Sequence, residues 1–177
     1  MRIGVFADAH DHIDNVRRAV VEFNRRECRL VIFAGDFVSP LVIPPLRRLQ
    51  CPVVASLGDN DGNVIGIRGG MRVVGDLGDP PFGIQTADGT RILVTHILDQ
   101  LRGQLDGAHA VISAHSHRPS IARDAAGRLF LNPGETSGWT SRQPTIAILE
   151  TEPLDAEIIR LPELPPLPEE WLQTVTG

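Results

Sequence analysis

Five short apolar runs set the strongest limit on how this chain can fold: "RIGVFA" (2–7), "LVIFA" (30–34), "PVVAS" (52–56), "RILVT" (91–95) and "AVISA" (110–114). They are rich in β-branched residues and lack the polar alternation of a half-exposed strand, so each reads as a strand buried on both faces. Such strands need cover on either side. Between the first two lies "IDNVRRAVVEFNRREC" (13–28), where Ile13, Val16, Val20 and Phe23 recur at helical spacing and predict an amphipathic helix extending to Glu27. The opening is therefore β-α-β. Ser39 and Pro40 mark a further helix start, and Pro44 and Pro45 predict that it is short or kinked, because each removes an interior hydrogen bond.

The second half reads differently. Asp88–Gly89 sits between alternating segments in "GIQTADGTRILVT" (83–95), a strong hairpin signal, and "SIARDAAGRLFL" (120–131) and "TIAILETEPLDAEIIRL" (145–161) repeat the pattern with other loops. The expectation is an α/β chain with two mixed sheets packed face to face and helices outside. At 177 residues one domain is the default, placed at 1–161. The remainder, 162–177, is proline-rich and reads as an extended tail, with Trp171 and Leu172 as candidate anchors onto this subunit or a neighbouring copy.

Composition narrows the function classes. Hydrophobic residues make up 42% and charged residues 22%, and no segment approaches the roughly 20 apolar residues that span a bilayer. No signal peptide is recognisable in "MRIGVFADAH", so the expected location is the cytoplasm. Cys28 and Cys51, each beside an apolar run, are expected as buried thiols rather than a disulfide. The net charge is −5 and all 17 basic residues are Arg, without any long basic run, which argues against general nucleic-acid affinity.

Each of the five runs is followed within three residues by a side chain able to bind metal. The first leads to Asp8 and His10, the second to Asp36, the third to Asp59, the fourth to His96, and the fifth to His115 and His117. Parallel strands place their C-terminal ends along one edge, so these groups can converge on one crevice despite their separation in sequence. Carboxylate oxygen mixed with imidazole suits Mn, Fe, Ni, Co or Zn better than Ca or Mg. Seven donors exceed the needs of one ion but serve two, about 3.5–4 Å apart and sharing a bridging carboxylate.

The ordered motifs "ADAHDH" (7–12), "AGDFVSP" (34–40), "GDND" (58–61), "TH" (95–96), "AHSH" (114–117) and "NPGE" (132–135) span most of the chain, and "PTIAILE" (144–150) adds a closing hairpin. In this order they resemble the calcineurin-like metallophosphoesterase superfamily, in particular its small prokaryotic phosphodiesterases. The resemblance implies a four-layer sandwich and a phosphodiesterase acting on a small phosphodiester. It implies one ion on Asp8, His10, Asp36 and His117, and a second on Asp36, Asp59, His96 and His115. Mn²⁺ is the first expectation for both ions. A hydroxide between them would attack phosphorus in line.

Three positions depart from that pattern. The usual Asn ligand is Asp59, a usual Gly is Ile97, and another is Ala114. A β-branched Ile97 would be strained were its φ positive, and its bulk would narrow the entrance. Asn60 stands where many relatives carry a His that protonates the leaving group, and it cannot act as an acid. His12 is the nearest spare candidate for that role. Asp61 is expected to orient a ligand His, and Asn132 to lie beside the site. His109, which precedes its strand, reads as a structural histidine. Two rival functions remain at this stage: a non-catalytic scaffold, as in the retromer subunit that resembles these enzymes, and a phosphomonoesterase.

Overall fold

The computed structural model describes residues 1–105 and 107–162. Its strands form two sheets. The first has the order β11 (Leu154–Arg160), β10 (Thr145–Thr151), β1 (Arg2–Phe6), β2 (Leu30–Phe33), β3 (Val53–Ser56) and β4 (Asp76–Gly78). The second runs β5 (Phe82–Gln85), β6 (Arg91–Val94), β7 (Ala110–Ile112), β9 (Leu129–Asn132) and β8 (Ser120–Arg123). All three hairpins expected from the turn chemistry are antiparallel pairs: β5 with β6, β8 with β9, and β10 with β11.

Strand β1 shows why its sequence has no polar alternation. Ile3 and Val5 enter an apolar layer between the sheets with Ile32, Val94, Ile112, Leu131 and Leu149. Phe6 faces the other way, into a second layer beneath the helices with Phe23, Phe33 and Phe37. The Phe6 and Phe33 rings stack at 4.1 Å, and Phe33 lies 4.0 Å from Phe37. Burial on both faces makes this strand the spine of the fold.

Helix α1 (Ile13–Arg25) presents Val16, Ala19, Val20 and Phe23 to that second layer. It is shorter than its apolar periodicity suggests, because Arg26 caps it and Glu27 adopts φ 55°, turning the chain toward β2. Pro40–Val42 forms a 3-10 turn that runs into a single turn of α2 (Ile43–Leu46), as the prolines require. Helix α3 (Val64–Val74) and β4 were not anticipated. The glycines at 66, 69 and 70 weaken the helical signal, but Ile67 and Met71 are fully buried and tertiary packing decides the outcome. No helix among the described residues is long and apolar enough to cross a membrane.

Both cysteines are free. Cys28 is buried and Cys51 half-buried, and burial pushes the Cys28 thiol up to about 12, which makes it unreactive. His109 has the structural role expected of it, its Nδ1 accepting the Arg91 amide at 2.9 Å. Residues 163–177, with Trp171 and Leu172, lie outside the described residues.

The parallel pairs are what position the site. β1, β2, β3 and β4 run parallel in the first sheet, and β6, β7 and β9 in the second, and the loops after β1, β2, β3, β6, β7 and β9 meet at one end of the sandwich.

Gly4 tests the packing of the spine, since a Cβ there would press into the Phe23 ring. Gly4→Ala is expected to lower stability by about 1–3 kcal/mol in urea denaturation. An unchanged midpoint would mean that Phe23 yields freely and that the helical layer is looser than described.

Candidate metal centre

The loops that leave β1, β2 and β7 turn sharply. Asp8, His10, Asp36, His115 and His117 have φ of 51°, 41°, 61°, 64° and 59°, in the left-handed region where Asp and His are tolerated better than most residues. This conformation brings side chains that leave different strands into one space. Ile97 has φ −101° and so carries none of the strain its branched side chain would suffer at positive φ. Ala114 likewise avoids positive φ.

Two groups of donors result. Asp8, His10, Asp36 and His117 form one, and Asp59, His96 and His115 the other; within each group one atom per residue lies within 4.8 Å of the rest. Asp36 stands between them, with Oδ2 3.5 Å from His10 Nε2 and Oδ1 3.4 Å from His96 Nε2. Asp59 Oδ1 is 3.0 Å from both His96 Nε2 and His115 Nδ1. His117 Nε2 lies 3.7 Å from Asp8 Oδ1 and 3.2 Å from His10 Nε2.

The electrostatics call for positive charge. Asp8 is fully buried, and neither of its carboxylate oxygens makes a well-formed hydrogen bond. Burial, aided by the like charge of Asp36, raises the Asp8 carboxyl to about 7, against the opposing pull of His96 and His117. Burial lowers the His96 imidazole, but Asp36 and Asp8 outweigh it and raise the ring to about 9. Burial also opposes ionisation of Asp36, but His96 and Asn60 hold it below the usual carboxylate range. A cage that draws a proton onto His96 is one that a cation would satisfy.

His96 and His117 both turn Nε2 toward the cage. His96 Nδ1 is 2.8 Å from the Ala34 carbonyl, which can only accept, so the proton sits on Nδ1 and Nε2 is left for the cage. His117 Nδ1 is directed at Glu135 Oε2, 3.0 Å away, which leaves its Nε2 facing Asp8. This pairing of a ring nitrogen with an oxygen behind it is characteristic of histidines that bind metal. The donor set therefore fits divalent cations.

The residues behind the donors have distinct roles. Asp61 is expected to orient a histidine, but among the described residues its hydrogen bonds go to backbone amides instead. It accepts the amides of Val38, at 2.8 Å, and Gly58, at 2.7 Å, and so ties together the loops that carry Asp36 and Asp59. Asn60 grips Asp36 directly, donating its backbone N–H to Oδ1 at 2.9 Å and its side-chain amide to Oδ2 at 2.8 Å. Asn132 braces the His115 loop through the Ala114 carbonyl at 3.0 Å and the Ser116 hydroxyl at 3.1 Å. His12 caps α1, its Nδ1 accepting the Asn15 amide at 3.4 Å, while burial lowers its imidazole below the ordinary value.

Residues 1–153 match the sequence model of the calcineurin-like phosphoesterase superfamily domain. The chain belongs to this superfamily. A phosphodiesterase of Methanocaldococcus jannaschii is 32% identical over 161 residues, which covers 86% of this chain and 94% of that protein. A solved archaeal phosphodiesterase has a TM-score of 0.83 at 30% identity, covering 91% of this chain and 100% of that one. At 15% identity the fold alone recurs in Vacuolar Protein Sorting 29 of Cryptosporidium parvum, with a TM-score of 0.61 over 92% of this chain and 98% of that one.

Two residues of this phosphoesterase site escaped the sequence reading. Glu135 is fully buried and accepts from Ser137 Oγ at 3.2 Å and from the amides of Thr140 and Ser141, besides orienting His117. Its place in "NPGE" was the available signal. Trp139 is 65% exposed, donates Nε1–H to the His10 carbonyl at 3.1 Å and lies 4.6 Å from the His12 ring. Nothing in its local sequence announces that role.

A buried carboxylate without partners costs stability until a cation arrives. Metal-free Asp8→Asn, measured in chelator at pH 8, is expected to be more stable than metal-free wild type by about 1–3 kcal/mol. Equal or lower stability would show that Asp8 is already satisfied.

Proposed function

We propose that this chain is a metal-dependent phosphodiesterase holding two divalent ions, Mn²⁺ first among Mn, Fe, Co, Ni and Zn. One ion belongs to Asp8, His10, Asp36 and His117, and the other to Asp36, Asp59, His96 and His115. The observation that carries this reading is the fully buried Asp8 carboxylate with no well-formed hydrogen bond on either oxygen, inside a ring of imidazoles. When bound, such ions supply Lewis acidity toward the phosphoryl oxygens and a water activated near neutral pH.

The protein's own groups set the rest of the chemistry. Asp36 addresses one donor group with each oxygen and would serve both ions, held in that orientation by Asn60. Glu135 and Ala34 fix the ring orientations of His117 and His96, so the donors need little reorganisation on loading. Asp59 binds a cation more strongly than an amide would. It also repels a phosphate about 5 Å away by roughly 3 kcal/mol at an effective dielectric of 20, before the adjacent ion offsets this. Asn60 carries no transferable proton and His12 is engaged in capping α1. His12 remains the acid candidate, and esters of good leaving groups, such as aryl phosphodiesters, are the preferred substrates.

The net charge of −5 and the lack of a long basic run argue for a small phosphodiester rather than a nucleic acid. The proposed location is the cytoplasm, consistent with free thiols at Cys28 and Cys51. Residues 1–161 form the proposed catalytic unit and 162–177 a tail, with contact between copies through that tail as a proposal. The rival scaffold reading draws on the recurrence of the fold in a vacuolar sorting protein. The presence of all seven donors favours catalysis.

Mn²⁺-loaded protein is expected to hydrolyse bis(4-nitrophenyl) phosphate faster than 4-nitrophenyl phosphate, and chelator to abolish both activities. Tight binding of two ions without turnover of either ester would favour the scaffold, and preference for the monoester would favour a phosphomonoesterase. Asp59→Asn should keep both ions and raise kcat/KM on the diester; a lower rate with metal content intact counts against the role given to Asp59. Glu135→Gln is expected to weaken metal affinity by about 10–100-fold in competition with a chelating dye. Unchanged affinity would reduce Glu135 to a loop brace.

A further inference from the structure

The second sheet directs its alternating large residues inward, so Leu129 and Leu131 of β9 join the layer between the sheets. Phe130, between them, faces the opposite side. There it forms part of a groove of about 490 Å³, walled also by Ile97, Leu98, Ser120 and Asp99. His115 lines the same groove, and its Nδ1 stands 3.0 Å from Asp59. His115 is thus common to the groove and the donor cage. The groove's volume lies in the range of small-molecule sites, and its walls combine apolar side chains with a few hydroxyls, the pattern of a site for an organic group.

Charge narrows the occupant. Among the described residues the groove is lined by one carboxylate, Asp99, and by no arginine; Arg102 lines an adjoining hollow that shares Leu98, Asp99 and Phe130 with it. Asp99, which is exposed, would repel an anionic group that enters the groove. Ile97, extended at φ −101°, contributes wall rather than obstruction.

We infer that this groove is the subsite for one ester group of the substrate, and that it selects an uncharged, largely apolar alcohol, aryl or nucleoside-like in size. A second phosphate on that group is disfavoured. Phe130 and Ile97 determine this specificity through contact area. The inference rests on the phosphodiesterase reading, because it takes the phosphoryl group to sit at the donor cage.

Mono-organic phosphonates test it, since each carries a single group that can enter the groove. In Mn²⁺-loaded protein, methyl-, phenyl- and 4-carboxyphenylphosphonate are titrated by calorimetry and as competitive inhibitors of bis(4-nitrophenyl) phosphate hydrolysis. Phenylphosphonate is expected to bind about tenfold more tightly than methylphosphonate, and 4-carboxyphenylphosphonate more weakly than phenylphosphonate. In Phe130→Ala and in Ile97→Gly the phenyl-to-methyl ratio should fall to within about threefold. A ratio near one in wild type, tighter binding of the carboxyphenyl ligand, or a ratio unchanged in both variants overturns the inference while the phosphodiesterase reading stands. Failure of every phosphonate to bind, together with no hydrolysis of any ester, overturns that reading instead.

Discussion

The structure depends on carboxylates held where water cannot reach them. Asp8 and Asp36 are fully buried, and Asp8 makes no well-formed hydrogen bond on either oxygen. A carboxylate removed from water without compensation is among the most destabilising features a fold can carry, and it persists only where a cation or proton offsets it. Four imidazoles surround these groups, and the nearby Asp36 and Asp8 carboxylates raise the His96 ring, as an excess of negative charge would. Folding stability and cation binding are therefore coupled through the same few atoms.

A site carried on loops would be imprecise if the loops moved independently, and here they are tied to one another by buried polar groups. Asp61 joins the loops after β2 and β3, Asn60 fixes both oxygens of Asp36, Asn132 holds the loop of His115, and Glu135 gathers a hydroxyl and two amides while orienting His117. Close approach of the backbone is part of this bracing: a side chain at Gly58 would collide with Asp36, and one at Gly35, where φ is 98°, with His96. The result is a preformed cage at the end of a rigid sandwich. Its flanks differ, with the indole of Trp139 beside His10 and the apolar groove beside His115.

Much of this was legible in one dimension. Strand runs buried on both faces fix their own type, and Asp88–Gly89 fixes a hairpin, because these signals are local. The positions of Asp8, His10, Asp36, Asp59, His96, His115 and His117 at strand ends were readable for the same reason, and the order of the motifs carried the family. Helix α3 was not readable, since its glycines oppose helix formation and only the burial of Ile67 and Met71 overrides them. The end of α1 at Arg25 was not readable either, because Glu27 adopts a positive φ that its residue type does not demand.

The sequence by itself determined which residues could meet at one edge and what class of ion they could bind, since strand direction and donor chemistry follow from short patterns. Only the tertiary structure decided what stands behind those donors. Asp61 ties amides rather than a histidine, Glu135 rather than a nearer residue orients His117, and Ile97 walls a groove instead of closing one. These roles depend on distances between residues far apart in the chain. A contact of that kind leaves no periodicity or spacing in the sequence from which it could be read.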